Sequence, residues 1–153
     1  MRNRKRSVWA SLIICFLFVG VLTVALFLMP WAVKWWFGVY RGWSGEVLRG
    51  IFRAFMWCFY PCAAFAYVAL YSLIRLLLNI KGKEVFVAQN VTYLRRVSWC
   101  CFAVSAITLV GSVQYFPFLV VAVAAAFVGL MLRVVKNVMQ NAVEIQNENE
   151  LTI

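Results

Sequence analysis

The sequence predicts an all-α, polytopic membrane protein with four transmembrane helices in a bundle, and three observations carry that prediction. The 153 residues are 65% hydrophobic and only 13% charged, against about half and about a quarter in soluble domains. A water-soluble chain of this size could not hide so much apolar surface, because burial is limited by surface-to-volume scaling. The apolar residues also gather into four runs flanked by basic clusters, and these clusters produce the net charge of +10. Cations beside apolar runs orient membrane helices and meet anionic headgroups. The lipid bilayer is therefore the first expected partner, and direct nucleic-acid binding is not expected.

The first run follows the basic opening MRNRKR. Residues 7–29 contain no charge over 23 positions, about 35 Å as a helix, enough to cross a core of about 30 Å. A signal peptide has a shorter apolar stretch and a small-residue cleavage site; here Pro30-Trp31 follows, so the span is expected to be retained. The second run covers about 55–74 and contains Pro61, which is expected to kink it. The third, about 97–113, is short, and its helix is expected to start earlier, near Val85, in water. The fourth, about 116–132, follows a tight turn around Gly111 and Gln114. Val134, Val135, Val138, Met139 and Ala142 keep near-helical spacing, so this helix is expected to continue into a tail, 136–153. The whole chain, 1–153, reads as one domain.

Between the first two runs lies PWAVKWWFGVYRGWSGEVLRG. At about 100° per residue, Trp31, Trp35, Trp36, Val39, Tyr40 and Trp43 share a broad face, with Lys34 and Arg41 opposite. Aromatic and basic residues so arranged suit the headgroup boundary. Trp31, Trp35, Trp36, Tyr40 and Trp43 are thus expected membrane-interface residues on an interfacial amphipathic segment.

Orientation follows from Lys and Arg. With a cytoplasmic N-terminus, the inside holds Arg2, Arg4, Lys5, Arg6, Arg75, Lys81, Lys83, Arg95, Arg96, Arg133 and Lys136. The outside keeps only Lys34, Arg41, Arg49 and Arg53. The positive-inside rule then predicts a multi-pass protein of the bacterial inner membrane with both termini cytoplasmic.

Signals for chemistry are sparse. There is no histidine, the commonest general base and metal ligand, and no run contains Asp or Glu. GVYRGWSG lacks the spacing of a phosphate-binding loop. Cys58 and Cys62 are four apart rather than in the Cys-x-x-Cys pairing of a thiol oxidoreductase, and adjacent Cys100 and Cys101 project on different faces. All five cysteines are read as small, soft packing residues. No catalytic, metal-binding or cofactor-binding residue is expected, no cofactor is expected, and the chain is not expected to be an enzyme. Stripes of small residues (Ala122, Ala126 and Gly129; Cys62, Ala66 and Ala69; Cys101 and Ser105) let helix backbones approach in lipid. They suit a four-helix bundle and a homo-oligomer equally.

Two patches are more specific. KGKEVFVAQNVTYLRRVSW (81–99) carries Gly82, Val85, Phe86, Asn90, Leu94 and Arg95 in a Gly-x-x-hydrophobic-Phe, Asn, Leu-Arg pattern. ENELTI (148–153) closes an acidic-polar stretch with Leu-Thr-Ile. Both resemble the bacterial four-span membrane-protein family of domain of unknown function 2975. The resemblance implies the four-span layout and no assigned activity. Members often occur beside a small helix-turn-helix regulator, so it also implies a cytoplasmic protein partner of that kind, by analogy.

The basic loop and acidic tail fall on the same predicted side, and Glu144 is expected to approach Arg95 or Arg96. The candidate partner-binding residues are Phe86, Asn90, Leu94, Arg95, Arg96, Glu148, Glu150, Leu151, Thr152 and Ile153. The tail either docks a partner, with Leu151 and Ile153 as a hydrophobic hook, or caps its own bundle. The expected function is a membrane regulatory or interaction protein that binds or sequesters a cytoplasmic partner. The alternative is a small transporter or ligand-binding bundle.

Overall fold

The computed structural model describes residues 2–40, 45–82 and 87–151. Four helices occupy almost all of them: α1 (Arg2–Lys34), α2 (Gly45–Lys81), α3 (Ala88–Gly111) and α4 (Pro117–Leu151). Each is long and apolar enough to span a membrane, and no strand occurs among the described residues. Packing order follows chain order, with α1 against α2, α2 against α3 and α3 against α4. The pairs run antiparallel: Thr23 meets Tyr67, Asn79 meets Asn90, and Ser98 meets Gly129. The starts of α1 and α3 and the ends of α2 and α4 therefore share one end of the bundle, the terminal end.

Lipid offers no hydrogen bonds, so polar groups inside the bundle must satisfy one another. The Thr23 hydroxyl donates to the Val19 carbonyl at 2.8 Å. Its oxygen, 2.7 Å from the Tyr67 hydroxyl, is then left to accept, which ties α1 to α2. Ser98 donates to the Gly129 carbonyl and Ser105 to the Ala122 carbonyl, each at 2.8 Å. Ala122 is buried, and a Cβ on Gly129 would stand 3.2 Å from the Cys101 Cβ. The small residues of α4 are thus the seam along which α3 and α4 close. α3 is the most enclosed helix. By contrast, α1 leaves Phe16, Leu17, Phe18 and Phe27 exposed, a surface that lipid tails cover at no cost.

The aromatic segment after the first run is continuous with α1. The helix passes through Pro30 to Lys34, and a π-helical turn, Trp35–Tyr40, extends it. Proline in a helix interior costs about 3 kcal/mol; burying the Val33 and Phe37 side chains offsets this at about 1.5–3 kcal/mol each. Both are nearly inaccessible. Phe37 meets Phe55 of α2 at 5.6 Å and Tyr115 edge-on at 5.8 Å, and Phe55 meets Phe118 of α4 at 4.8 Å. This cluster clamps the end opposite the termini. Trp31, Trp35 and Trp36 point outward. Trp9 and Trp31 lie 22 residues apart on α1, about 33 Å, so exposed tryptophans mark both faces of a bilayer-sized layer.

Helix ends overrun the apolar runs. α2 begins at Gly45, ahead of exposed Arg49 and Arg53, and crosses Pro61 as one helix. α3 begins at Ala88, and α4 continues unbroken to Leu151.

Candidate functional site

The terminal end carries the polar chemistry, and three of its cations rest on aromatic faces. The Lys81 ammonium lies 4.0 Å from the Trp9 ring centre, joining α2 to α1. Arg75 stands over Tyr71 at 5.5 Å and donates from Nε to its hydroxyl at 3.0 Å. The Arg133 guanidinium lies 5.6 Å from Trp99 and 5.9 Å from Phe102, across the α3–α4 seam. With only five acidic residues against fifteen basic ones, ring faces take the place that carboxylates hold in soluble proteins.

The sequence-predicted residues divide between inside and outside. Asn90 is completely buried and accepts a hydrogen bond from the Asn79 side chain at 2.8 Å. Leu94 is also buried, one turn further along the same inward face. Arg95 and Arg96 are exposed. Glu148 is an exposed residue of α4. Of Tyr40, Glu150 and Leu151 only the backbone is described; Trp43, Phe86, Thr152 and Ile153 lie outside the described residues, as does Val85.

No ion pair joins Glu144 to Arg95 or Arg96 among the described residues, contrary to expectation, and the helix register explains why. The contacts of Ser98 with Gly129 and of Ser105 with Ala122 fix the antiparallel alignment of α3 and α4. That alignment puts Arg95 level with Leu132 of α4, and Glu144 lies twelve residues further along the helix, about 18 Å away along the axis. Arg133 and Lys136 stand beside Arg95 instead. Together with Ser98 and Trp99 they line a cavity of about 250 Å³. The Lys and Arg pattern predicts the three cations on one side of the membrane, but their gathering depends on inter-helix register, which no single helix encodes. A second cavity, of about 180 Å³, lies toward the opposite end, where Met29, Cys58, Thr108 and Val121 bring all four helices together.

α4 provides the other distinctive surface. From Pro117 to Lys136 it rises about 29 Å, a bilayer core's thickness, and the remaining turns to Leu151 add about 22 Å. Val143 is buried, and Met139 and Ala142 are half-buried on the face toward the bundle. Val134, Val138 and Ile145 are at least 60% exposed on the opposite face, separated by four and seven residues. Asn141, also exposed, fills the gap in that spacing.

The family model described as "Protein of unknown function (DUF2975)" matches residues 2–153. The chain belongs to this family. The chain is also similar to the "Uncharacterized membrane protein YoaS" of Bacillus subtilis (strain 168), 20% identical over an alignment of 168 positions that covers 99% of each chain. No solved structure matches. With four spans packed against one another, the chain is a multi-pass membrane protein. In the DUF2975-like pattern of residues 82–95, Asn90 and Leu94 hold the bundle together, while Arg95 lines the cavity.

Proposed function

We propose that this DUF2975 protein is a non-catalytic interaction protein of the bacterial inner membrane, with both termini cytoplasmic, and that it holds a cytoplasmic protein at the membrane. The observation that carries the proposal is the α4 extension. A helix leaving the membrane for water has no lipid to cover apolar side chains, yet Val138 and Ile145 face outward beyond Lys136. Such a stripe suits an apolar groove on a partner, read as anchors at helical spacing. Glu144 and Glu148 flank it, so a groove with a basic rim would complement it. Arg95, Arg96, Glu150 and the Leu151, Thr152 and Ile153 terminus would extend the contact. The orientation rests on the excess of Lys and Arg at the terminal end. Transport has less support: the buried Ser72, Ser98 and Thr108 hydroxyls donate to helix carbonyls instead of lining a path.

A photo-crosslinking residue at Val138 or Ile145, introduced into living cells, tests the proposal. The expected product is an adduct with a cytoplasmic protein, absent when the same residue replaces inward-facing Val143. An adduct only at twice the chain's own mass would replace docking with self-association, and no adduct at either position would refute docking.

A further inference from the structure

We propose that the cavity between α3 and α4 at the terminal end is a binding site for the phosphate of an anionic phospholipid headgroup. Three cations from two helices, Arg95, Arg133 and Lys136, converge on about 250 Å³, far more than the ~30 Å³ share of a single water. Among the described residues no carboxylate answers them, and none of the three makes an ion pair. Glu144 lies eight residues beyond Lys136, about 12 Å further along the helix. Bringing three like charges together without a counter-charge is unfavourable, and a bound anion relieves it. Arginine presents its donors in a planar fork that matches phosphate oxygens.

The surroundings select a lipid over a free anion. Arg133 is propped on Trp99 and Phe102, whose rings meet edge-on with centroids 6.4 Å apart. This aromatic step lies on the membrane side of the cations, and Trp99 is 60% exposed. The site is charged at its mouth and apolar below, the polarity of a phospholipid entering headgroup-up. The Ser98 hydroxyl at the base is already committed to the Gly129 carbonyl. Recognition therefore falls to the cations, and selectivity should follow lipid charge rather than headgroup hydroxyls. The cavity shares Arg95 with the proposed docking contact but neither Val138 nor Ile145 lines it, so lipid binding by Arg133 and Lys136 stands whether or not a protein docks on the outer stripe.

The test uses the full chain purified in neutral detergent, with lipid retention read by native mass spectrometry and thermal melting followed in parallel. Phosphatidylglycerol, phosphatidylcholine and inorganic phosphate are the three probes. Phosphatidylglycerol should bind at least tenfold more tightly than phosphatidylcholine and raise the melting temperature. The double variant Arg95→Gln with Lys136→Gln should lose at least tenfold in phosphatidylglycerol affinity while melting normally without lipid. Arg96→Gln, next to the site but not lining it, should bind like the parent. If the double variant is unstable, Lys136→Gln alone should still show a loss of about fivefold, the share of one basic residue near an anionic surface. Unchanged phosphatidylglycerol binding in these variants overturns the site. An equal loss in Arg96→Gln reduces it to diffuse surface charge, and equal stabilisation by inorganic phosphate makes it a free-anion site; either result defeats the proposal.

Discussion

The side-chain amide of Asn79, near the end of α2, donates a 2.8 Å hydrogen bond to the side-chain oxygen of Asn90, in the first turn of α3. Asn90 is fully inaccessible. The bond fixes how α3 leaves α2. Replacing Asn90 with Leu strands the Asn79 amide, and a buried unsatisfied donor costs about 1–3 kcal/mol. Melting in detergent should show that loss, and Asn79→Leu alone should show a similar one. The two changes together should cost less than their sum, since the pair is then removed as a unit. Strict additivity in the double-mutant cycle would contradict direct pairing.

At the opposite end, Gly111 closes α3 against Cys58 and Phe118. A Cβ there would lie 2.5 Å from the Cys58 Sγ and 3.0 Å from the Phe118 ring. Gly111→Ala should therefore destabilise by about 1–3 kcal/mol, the usual cost of overpacking. Adding Cys58→Ala removes the nearer obstacle and should restore part of the loss. An unaltered melting curve for Gly111→Ala alone would mean that the helices separate there more easily than the geometry implies.

All five cysteines are free thiols, and Cys15, Cys58 and Cys100 are buried. Cys58 also approaches the Ile107 carbonyl at 3.9 Å. As packing residues that lose only van der Waals contact with neighbouring helices, their combined replacement by Ala should lower stability by about 1 kcal/mol or less per site and leave partner capture intact. Loss of capture by a folded cysteine-free chain would reopen a redox role.

Orientation can be read from reporters. Green fluorescent protein fused after Ile153 should fluoresce, and a periplasmic enzyme fused after Trp43 should be active. Activity of the periplasmic enzyme after Ile153 would invert the topology.

The four spans were legible because the bilayer demands long apolar runs and nothing else in a sequence looks like one. Their ends were not. Pro30 and Lys34 look like the close of a span, but the burial of Val33 and Phe37 carries α1 onward to Tyr40. Arg49 and Arg53 look like loop residues, but a helix can carry exposed cations outside the apolar core. The candidate site was legible in composition and obscure in geometry. Asn90 reads by type as a hydrogen-bonding residue where helices leave the membrane, but its partner Asn79 lies on another helix, beyond any periodicity within α3. Charge alone pairs Glu144 with Arg95 or Arg96, whereas the register set by Ser98 and Ser105 turns Arg95 toward Arg133 and Lys136.

Docking and self-capping make opposite demands on the α4 extension. Val138 and Ile145 are exposed, so Val138→Asp with Ile145→Asp should barely change melting, within about 0.5 kcal/mol for each surface site. A partner's groove would have to bury both carboxylates unpaired, which is costly, so capture should be abolished. Val143 is buried against the bundle; Val143→Asp should lower the melting point and disturb capture only through lost folding. Deleting residues 147–153 leaves Val143 and its inward neighbours Met139 and Ala142 in place, so the bundle should remain inserted and stable. Capture should weaken to the extent that Glu148, Glu150, Leu151 and Ile153 take part. Glu148→Gln with Glu150→Gln would separate out the charged share, which should fade at high salt because exposed charges are screened over about 8 Å at physiological ionic strength. Melting and membrane pull-downs measured side by side on these variants decide the matter. If the Val138 and Ile145 aspartates unfold the protein while co-purifying proteins stay the same, the extension is a cap and the docking proposal fails.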